Sequence, residues 1–587
     1  MGSSQGWKTP GMNGTAESMV NKMSSDLAHQ QKRLGQRGAG ESDKSQLDQT
    51  IHISPARKNA ALARDGKLLV LSGGLQGQEF ILKKDHSFIG SSPDNDVVLN
   101  DPTISRRHCE IRFEPTGCLL RDLGSTNGTF VFGFKVSEVA LEYGAEFCVG
   151  QTRLVLRSLQ DTGKYSSAYT TLASTGFDPS LAIQKFSNHG IGYSVADWSD
   201  VRHVFAAAVP RRGTTLAEQT DDALRIIEAV IGVHGAHGAI VQQAVFLPDP
   251  AMIEECREII HNFYGQDLPA TSYIAQPPCE GKLVEIEAMG LCSGRKEVEI
   301  SRVSEQLVVV KHSGVTWTHA ALVPRRITGD AYAQGVAAFR QLKELLAGVN
   351  VRMDQVFRTW IYQGGIVADE DASQRYKELN RARTDEYEGI NFLCDRLPVG
   401  HPPGVYPAST GIGTEGRGLE LSAIALTTDR PEVLAVPLEN PRQISAFDYS
   451  NRFGRKSPKF ARAMAVTCGD YARIFISGTA SITAEETRHI GDAAGQTSET
   501  LDNIAALISE ENLARHGLPG LGTTLAGLGL ARVYIKRKDD YARVRAICEE
   551  RLGELPTIYA VADVCRPDLL VEIEGIALSR NVLKPPR

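Results

Sequence analysis

The chain repeats one pattern three times, and this repetition constrains the fold more than any other feature. The end of each copy is a strand-like segment, in the order LVEIEAMGL at 283–291, LELSAIAL at 419–426 and VEIEGIAL at 571–578. A helix-like segment earlier in each copy contains an aligned glutamine, in the order Gln219, Gln334 and Gln496. The distance from this glutamine to the first glutamate of the terminal strand is 66 (219 to 285), 86 (334 to 420) and 76 (496 to 572) residues. These spacings exceed a solenoid repeat, so each copy is predicted to be a small domain.

Length and charge narrow the possible classes of protein. The 587 residues suffice for roughly three to five domains of about 100–200 residues. The net charge of −6 gives no electrostatic reason to expect nucleic acid or an acidic membrane as a partner. The sequence has no run of about 18 apolar residues, and its start lacks the order of a secretory signal. The ten cysteines form no CxxC pair, which favours a reducing cytoplasm over disulfides or a zinc site.

The region before the repeats divides into three parts. Residues 1–65 are rich in Ser, Gln, Lys, Asp and Gly, and they are predicted to be disordered because they carry too few large apolar residues for a core. Residues 158–187 have the Ser, Thr and Gly content of a linker. Between them, residues 66–157 read as short strands broken by Gly, Asp and Pro, which predicts an all-β sandwich.

Two motifs in this sandwich point to a known family. The segments FIGSSPDNDVVLNDPTISRRHCEIRF and LRDLGSTNGTFVFG resemble the forkhead-associated (FHA) family over nearly the whole block. The resemblance implies a phosphothreonine-containing protein as partner. It also implies that Ser105 and Thr126 donate hydroxyl groups to the phosphate, that Asn127 bonds the peptide backbone, and that His108 braces the loop from behind.

One position departs from the FHA pattern. Ser91 stands where the family usually has an arginine, and an arginine would add a charge-assisted contact to the ligand. Arg106 and Arg107 are close in sequence and could compensate for its absence as phosphopeptide-binding residues. The alternative is that both motifs only close loops of the sandwich.

The repeat unit itself reads as strand, strand, helix, strand, helix, strand, which predicts an α+β layer. The segments ISGTASI, GQTSETLDNIAAL and VEIEGIA resemble the Rid/YjgF family, whose chorismate mutase-like domains form homotrimers with ligand clefts between subunits. Three copies, at 188–293, 297–427 and 428–582, would then form a pseudo-trimer within one chain. The alternatives are that each copy trimerises separately or that two copies pair with another chain, so a homo-oligomer stays open.

The Rid/YjgF resemblance does not extend to that family's best-known activity, imine hydrolysis. The family clamps a carboxylate with the arginine of a Pro-Ala-Arg-Ser turn. The matching turns here are PATSY, PASTG and PTIYA, with Thr271, Ser409 and Ile558 at the arginine position. Neither a hydroxyl nor an aliphatic group replaces a bidentate guanidinium, so imine hydrolysis is not expected.

Copies two and three carry a different resemblance. The segments RYKELNRAR at 375–383, YPASTGIGTEGRG at 406–418, NPRQISAFDYSNRFGRKSPKFARA at 440–463 and FISGTASI at 475–482 resemble the chorismatase family, also called chorismate hydrolase or hydroxybenzoate synthase. The similarity spans roughly 297–580. It implies cleavage of the enolpyruvyl ether of chorismate to pyruvate and a cyclohexadiene carboxylate or a hydroxybenzoate.

Such a reaction needs a carboxylic acid to protonate the vinyl ether carbon, with a pKa raised by burial. Glu572 is the first choice for this acid, and Glu574 is the second because alternate residues of a strand share a face. The alternative is an ordinary strand end bonded to neighbouring backbone. The same pair occurs as Glu285 and Glu287 in the first copy, to which no chemistry is assigned.

The two carboxylates of chorismate call for arginines, because the planar guanidinium matches a carboxylate. Tyr449 is a further catalytic candidate that would orient substrate or water. The candidate substrate-binding residues are Arg442, Arg381, Arg383, Arg417, Arg545 and Ser409, with Arg442 and Tyr449 ranked first. Each arginine has the alternative of a solvated or structural ion pair. The sequence has no P-loop, HExxH or dinucleotide GxGxxG, so neither a cofactor nor a metal is expected.

Two hypotheses follow. The first is a chorismatase-like lyase or hydrolase that is regulated or localised by phosphothreonine recognition. The second is a non-catalytic phosphoprotein-binding scaffold built on a Rid-like pseudo-trimer. The predicted fold is multidomain in both cases, with an all-β FHA sandwich followed by three α+β Rid/YjgF-like domains.

Overall fold

The computed structural model describes residues 66–581 apart from short gaps. These gaps are 72–74, 83, 115–116, 132–133, 142–145, 158, 160–182, 189–190, 199–200, 234–239, 294–297, 323–328, 371–372, 403, 451 and 453–455. The chain divides into two units, Met1–His52 and Ile53–Arg587, and the first lies wholly outside the described residues. The predicted disordered segment 1–65 and most of the predicted linker 158–187 also lie outside them.

The N-terminal region is an all-β sandwich, as its short interrupted strands predict. Its strands are β1 (Gly66–Val70), β2 (Glu79–Leu82), β3 (His86–Gly90), β4 (Val97–Val98), β5 (Cys109–Glu114), β6 (Gly117–Asp122), β7 (Thr129–Val131), β8 (Phe134–Val136), β9 (Glu138–Leu141), β10 (Glu146–Val149) and β11 (Thr152–Arg157). One sheet has the order β2-β1-β11-β10-β7-β8 and the other β4-β3-β5-β6-β9. Buried apolar side chains such as Leu68, Ile111 and Phe147 fill the space between them.

The repeats follow as three strand-rich units. Copy 1 contains β12 (Gln184–Asn188), β13 (Ile191–Trp198), β14 (Val201–Ala208), α1 (Leu216–Val233), β15 (Ile240–Phe246), α2 (Ile253–Tyr264), β16 (Ala270–Ile274) and β17 (Glu285–Ser293). Copy 2 contains β18 (Glu299–Ser304), β19 (Leu307–His312), β20 (Val315–Ala321), α3 (Ala331–Ala347), β21 (Val356–Gly364), β22 (Asp369–Glu370), β23 (Ser373–Gln374), α4 (Arg375–Glu386), β24 (Ala408–Thr414) and β25 (Leu419–Thr428). Copy 3 contains β26 (Ala435–Leu438), β27 (Ala463–Cys468), β28 (Tyr471–Ala480), β29 (Ile482–Thr483), β30 (Glu486–Thr487), α5 (Ala493–Ile508), α6 (Glu510–Arg515), β31 (Leu528–Ile535), α7 (Tyr541–Leu552), β32 (Thr557–Val561) and β33 (Val571–Arg580).

All three main sheets have the same topology. Their orders are β12-β13-β14-β17-β15-β16, β18-β19-β20-β25-β21-β24 and β26-β27-β28-β33-β31-β32. The last pair of each sheet is parallel, as expected where a helix connects two neighbouring strands. The sequence predicts turns at PATSY, PASTG and PTIYA. In the structure these segments lie in or at the start of the edge strands, and Thr271, Ser409 and Ile558 are inside those strands.

Strand register places the three copies in correspondence. Glu285, Glu420 and Glu572 pair with Phe246, Tyr362 and Tyr534 at equivalent positions of their sheets. The repeated glutamine has the same structural role in copies 1 and 3, whereas Gln334 in copy 2 accepts a hydrogen bond from Arg375 instead. Gln219 accepts a hydrogen bond from the backbone of Leu283 at 2.8 Å, and Gln496 accepts one from Leu570 at 2.7 Å. Each bond joins the first helix of a copy to the segment two residues before its terminal glutamate.

The first helix of each copy packs on its sheet. In α3 the buried residues Phe339, Leu342 and Leu346 recur at intervals of three and four, with buried Ala338 next to the first, which places them on one face. Burial of a side chain as large as Leu or Phe contributes about 1.5–3 kcal/mol, so this face stabilises the copy. None of the helices within the described residues is long and apolar enough to cross a membrane.

Backbone hydrogen bonds join the copies to one another. The amide of Glu415 in copy 2 donates to Ala275 in copy 1 at 2.7 Å. The amide of Cys279 in copy 1 donates to Tyr559 in copy 3 at 2.9 Å. Copies 2 and 3 are joined at 2.8 Å by the amide of Gly413 and the carbonyl of Asp563, so each pair of copies is in contact.

Candidate active site

Glu572 lies on β33 at the contact of copies 2 and 3. Its side chain is buried, with 4% of the residue exposed. Within the described part of the chain, its carboxyl group has no hydrogen-bond partner. A Cβ atom at Gly478 would overlap Glu572 Oε1 and would lie 3.1 Å from Thr410 Cγ2. The carboxyl group therefore occupies space that only a glycine at position 478 leaves open.

The surroundings of Glu572 favour its neutral form. Burial and, after it, the nearby charge of Glu574 raise the pKa of Glu572 to about 8. Arg462 and Arg358 act in the opposite direction. Because a pKa near 8 lies above neutral pH, Glu572 carries a proton that it can donate.

Glu574, two residues further on the same strand, has the opposite environment. Its carboxylate accepts hydrogen bonds from the side chains of Arg358, Trp360, Thr410, Arg532 and Tyr534. The pKa of Glu574 is lowered because, although burial opposes ionisation, Arg358, Arg532 and the hydroxyl donors outweigh it. The result is a fixed anion that in turn disfavours ionisation of Glu572.

Arg532 connects this anion to the other two copies. Its Nε and Nη2 atoms each donate to the carboxylate of Glu287 in copy 1 at 2.7 Å, which is a bidentate pair. Its Nη1 atom donates to Tyr362 of copy 2 at 2.6 Å. We call Glu287, Arg358, Arg532, Tyr534 and Glu574 the interlocking network, since together with Tyr362 they bring charged and hydroxyl groups of all three copies into contact.

Two buried arginines, Arg358 and Arg462, lie close enough to Glu572 to affect its charge, and a third, Arg383, shares a neighbouring aromatic ring with Arg462. Arg383 and Arg462 both lie 5.5 Å from the ring of Phe460, and Arg358 donates to Thr410 at 2.7 Å. Each retains one buried nitrogen without a hydrogen-bond partner among the described residues, in the order Arg358 Nη1, Arg383 Nε and Arg462 Nε. A buried donor without a hydrogen bond is costly, and these guanidinium groups are suited to donate hydrogen bonds to the carboxylates of a ligand.

Several predicted residues join this group. Arg462 donates to the hydroxyl of Tyr449 at 2.6 Å, and Arg383 donates to Ser409 at 3.4 Å. Tyr376 lies close to both Arg383 and Glu572, whose charges affect its pKa in opposite directions while burial raises it. Tyr449, Ser409, Arg383 and Glu572 are thus brought together from distant parts of the sequence.

The other predicted arginines have partners elsewhere. Arg442 pairs with Glu499 at 3.0 Å, and Arg381 pairs with Glu378 at 2.7 Å. Arg417 pairs with Glu370 at 3.1 Å, and Arg545 pairs with Glu280 on copy 1. All four are at least one-third exposed at the side chain, and within the described residues none has a contact with Glu572.

The equivalent glutamates of the other copies lie in different surroundings. Burial alone raises the pKa of Glu420 to about 8. Burial also raises the pKa of Glu285, and Glu280 adds to this effect. No buried arginine among the residues that the structure describes affects the pKa of Glu420 or Glu285, so the three equivalent glutamates have surroundings that differ in charge.

In the sandwich, the predicted phosphopeptide residues meet at one end. The backbone amide of Thr126 donates to Ser105 Oγ at 3.0 Å, and the Ser105 and Thr126 hydroxyls are 3.4 Å apart. Asn127 donates to the carbonyl of Thr103 at 2.7 Å, and both Thr126 and Asn127 are exposed. The SRRH and STNGT loops therefore present two hydroxyls and an amide side by side.

Buried His108 supports these loops. Its Nδ1 accepts from the amide of Ser105 at 3.1 Å, and its Nε2 lies 3.0 Å from the carbonyl of Gly128. The two arginines diverge in role: Arg107 stacks on Phe88 at 3.6 Å, whereas Arg106 is exposed. Ser91 donates to the carbonyl of Ile104 at 3.0 Å, so it ties the loop from within.

Sequence reasoning missed Arg358, Arg462, Arg532 and Tyr534. A signal was present, because each arginine interrupts or adjoins an apolar strand, as in VFRTWIYQG and LARVYI. A charge inside such a strand requires a partner when the strand is buried. Among the described residues, no cluster of three or more His, Cys, Asp or Glu side chains is arranged to hold a metal ion.

Comparisons with known proteins separate the chain into two parts. Residues 69–160 match the family model described as the inner membrane component of T3SS, cytoplasmic domain. A solved structure from a structural and functional analysis of phosphothreonine-dependent FHA domain interactions is 34% identical, with a TM-score of 0.15, and covers 16% of this chain and 95% of that chain. The glycogen accumulation regulator GarA of Mycolicibacterium smegmatis is 40% identical over 88 residues, which is 15% of this chain and 56% of that protein. By sequence, the N-terminal region is FHA domain-like.

The second part resembles two curated enzymes. The 3-hydroxybenzoate synthase of Streptomyces hygroscopicus is 34% identical over 283 residues, which is 46% of this chain and 77% of that protein. The chorismatase of Streptomyces rapamycinicus is 36% identical over 280 residues, which is 45% of this chain and 77% of that protein.

Proposed function

The chain belongs to the chorismatase family, and we propose that it cleaves the enolpyruvyl ether of chorismate. The products would be pyruvate and either a cyclohexadiene carboxylate or a hydroxybenzoate. The observation that carries the proposal is the buried, protonated Glu572 with Arg358 and Arg462 close to it and with Arg383 beside the same Phe460 ring as Arg462.

The chemistry begins with proton transfer. Glu572 donates its proton to the terminal carbon of the enolpyruvyl group, and the ether carbon becomes an oxocarbenium-like centre. Water adds to this centre in the hydrolytic route, and the resulting hemiketal releases pyruvate and the ring alcohol. The fixed anion of Glu574 holds the pKa of Glu572 high, so in this proposal Glu574 acts through Glu572.

The arginines supply binding. Substrate carboxylates would accept from the unpartnered nitrogens of Arg383, Arg462 and Arg358. Tyr449 orients Arg462 through its hydroxyl, and Ser409 does the same for Arg383. Because the guanidinium groups of Arg358 and Arg462 lie near one buried carboxylic acid and Arg383 lies beside the same ring as Arg462, the site suits a dianionic substrate better than a neutral one.

For the architecture, we propose that the three copies are Rid/YjgF-like α+β domains in a pseudo-threefold arrangement. The domain bounds would be 66–157 for the sandwich and 188–293, 297–427 and 428–582 for the copies. The shared sheet order and the contacts between every pair of copies support this arrangement. A cytoplasmic location is part of the same proposal.

For the sandwich, we propose binding of a phosphothreonine protein that regulates or localises the enzyme. Ser105 and Thr126 would contact the phosphate, Asn127 the peptide backbone, and Arg106 would add charge. Arg107 stacks on the ring of Phe88, so it would contact the phosphopeptide only after leaving that ring.

Incubation of the purified chain with chorismate, with pyruvate as the readout, tests the enzymatic proposal. Arg383→Ala is expected to raise KM more than Arg442→Ala, since Arg442 already has Glu499 as partner. Absence of both chorismate binding and pyruvate in the wild-type protein would refute the proposal and leave the non-catalytic scaffold. A larger rise in KM for Arg442→Ala than for Arg383→Ala would reassign the binding role to Arg442.

A titration of the full chain with matched phosphorylated and unphosphorylated threonine peptides tests the sandwich. Binding is expected to be weak but phosphate-dependent, and Ser105→Ala or Asn127→Ala should reduce it. Equal affinity for the two peptides would instead assign this domain to docking without phosphate.

A further inference from the structure

Arg473, a further buried arginine on the same sheet face as Glu572 and Glu574, has no carboxylate partner among the described residues. Arg473 on β28 is 5% exposed. Its Nη2 atom contacts the imidazole of His203 in copy 1, and its guanidinium lies 4.9 Å from the ring of Trp317 in copy 2. His203, Trp317 and Arg473 are at equivalent register positions, opposite Leu291, Leu426 and Leu578. This sheet junction therefore combines one residue from each copy.

The sheet junction carries a single uncompensated positive charge. Among the described residues, Arg473 makes no ion pair with Asp or Glu, and burial lowers its pKa to about 9, which still leaves it charged at neutral pH. Burial and the charge of Arg473 lower the pKa of His312 to about 4 and that of His319 to about 3. The neighbouring imidazoles are therefore neutral. An unpaired buried charge is strongly destabilising, and contacts with aromatic faces offset only part of this cost.

A small cavity lies beside this charge. Its lining includes His203, His312, Trp317, His319 and Arg473, and it has room for about one water-sized occupant. Three of these residues have buried nitrogens without hydrogen-bond partners: Arg473 Nε, Trp317 Nε1 and both ring nitrogens of His312. The unpartnered groups are thus mainly N–H donors around one positive charge.

We propose that this cavity binds one small monovalent inorganic anion of the halide class. Such an ion accepts hydrogen bonds from the N–H groups of Arg473 and Trp317 and neutralises the guanidinium group of Arg473. This guanidinium group joins strands of all three copies. A water molecule fits less well, since it would add two donor hydrogens to a site made mostly of donors. A cation is excluded by the charge of Arg473. This inference does not depend on chorismate cleavage.

The wild-type chain purified in gluconate and then titrated with chloride or bromide tests the proposal. A saturable rise in Tm with halide, beyond that from gluconate at equal ionic strength, is the expected result, because a ligand that binds only the folded state stabilises it. Crystals grown from bromide should show an anomalous scattering peak in contact with Arg473. Absence of the peak, or a Tm that responds equally to halide and gluconate, would overturn the proposal.

Arg473→Met provides an independent variant. A methionine removes the charge and the need for a counter-ion while filling apolar space, so this variant should lose the halide-dependent part of the Tm shift. In halide-free buffer its Tm should equal or exceed that of the wild type. Arg515→Gln, at an exposed ion pair with Glu511, is the matched control and should keep the full halide response. A halide response that survives in Arg473→Met would also overturn the proposal.

Discussion

Glu572 and Glu574 lie two residues apart on one strand, but their surroundings give them opposite protonation. Glu572 has no hydrogen-bond donor among the described residues, and its pKa is raised to about 8 by burial and by Glu574. Glu574 has five side-chain donors, and its pKa is lowered. Burial is common to both, so the donors decide which carboxyl group keeps its proton. A strand can therefore place an acid and a fixed anion side by side without any difference in residue type.

The largest expected effect comes from removing the acid. Glu572→Gln keeps the shape of the side chain but cannot donate the proton, so kcat for pyruvate release should fall by about 10²–10⁴ while chorismate binding remains. Stopped assays of pyruvate, with binding measured by calorimetry, check both parts. Glu285→Gln in copy 1 is the matched control and should release pyruvate at the wild-type rate. Near-normal activity of Glu572→Gln would refute the role of this acid.

Removal of the fixed anion should act first on stability. Glu574→Ala leaves Arg358 and Arg532 buried without one of their partners, and breaking a buried pair of this kind costs about 3–5 kcal/mol. Denaturant unfolding of the region that contains the three copies is the measurement. A change below about 1 kcal/mol would mean that the interlocking network does not hold the copies together.

A methyl group at Gly478 tests whether the position of Glu572 matters apart from its identity. Its Cβ would overlap Glu572 Oε1, and displacement of a reacting group by about 1 Å can lower the rate on the order of 10²-fold. Gly478→Ala should therefore lower kcat while Glu572 is still present. Gly418→Ala, whose added Cβ would meet nothing within 4 Å, is the control. Equal activities of the two variants would show that the carboxyl group moves freely.

The pH dependence gives the smallest effect. Since the pKa of Glu572 is raised from 4.5 to about 8, its protonated form persists at neutral pH and is lost above about pH 8. The value of kcat/KM should then fall about tenfold per pH unit on that side. Circular dichroism over the same range checks that the fold persists. A fall that begins near pH 4.5 would identify an ordinary carboxyl group and remove the contrast with Glu574.

Local patterns in the sequence predicted the sandwich and led to Glu572 as the candidate acid. The SRRH and STNGT motifs are compact, and their hydroxyls meet because both loops lie at one end of the sandwich. The arginines were harder to rank. Arg442 lies in the most family-like segment but pairs with Glu499, whereas Arg462, at the end of the same segment, lies beside Tyr449. Which of them faces the cleft depends on the packing of separate copies, and no spacing along one segment carries that information.

The sheet junction also has a consequence for the history of the chain. An assembly of three identical polypeptides would place the same side chain at all three equivalent positions, so an arginine there would meet two others in a buried space. Like charges at such close range repel strongly. His203, Trp317 and Arg473 avoid this because they are encoded separately. If the copies descend from a symmetric ancestor, Arg473 was acquired only after the copies had begun to diverge in sequence.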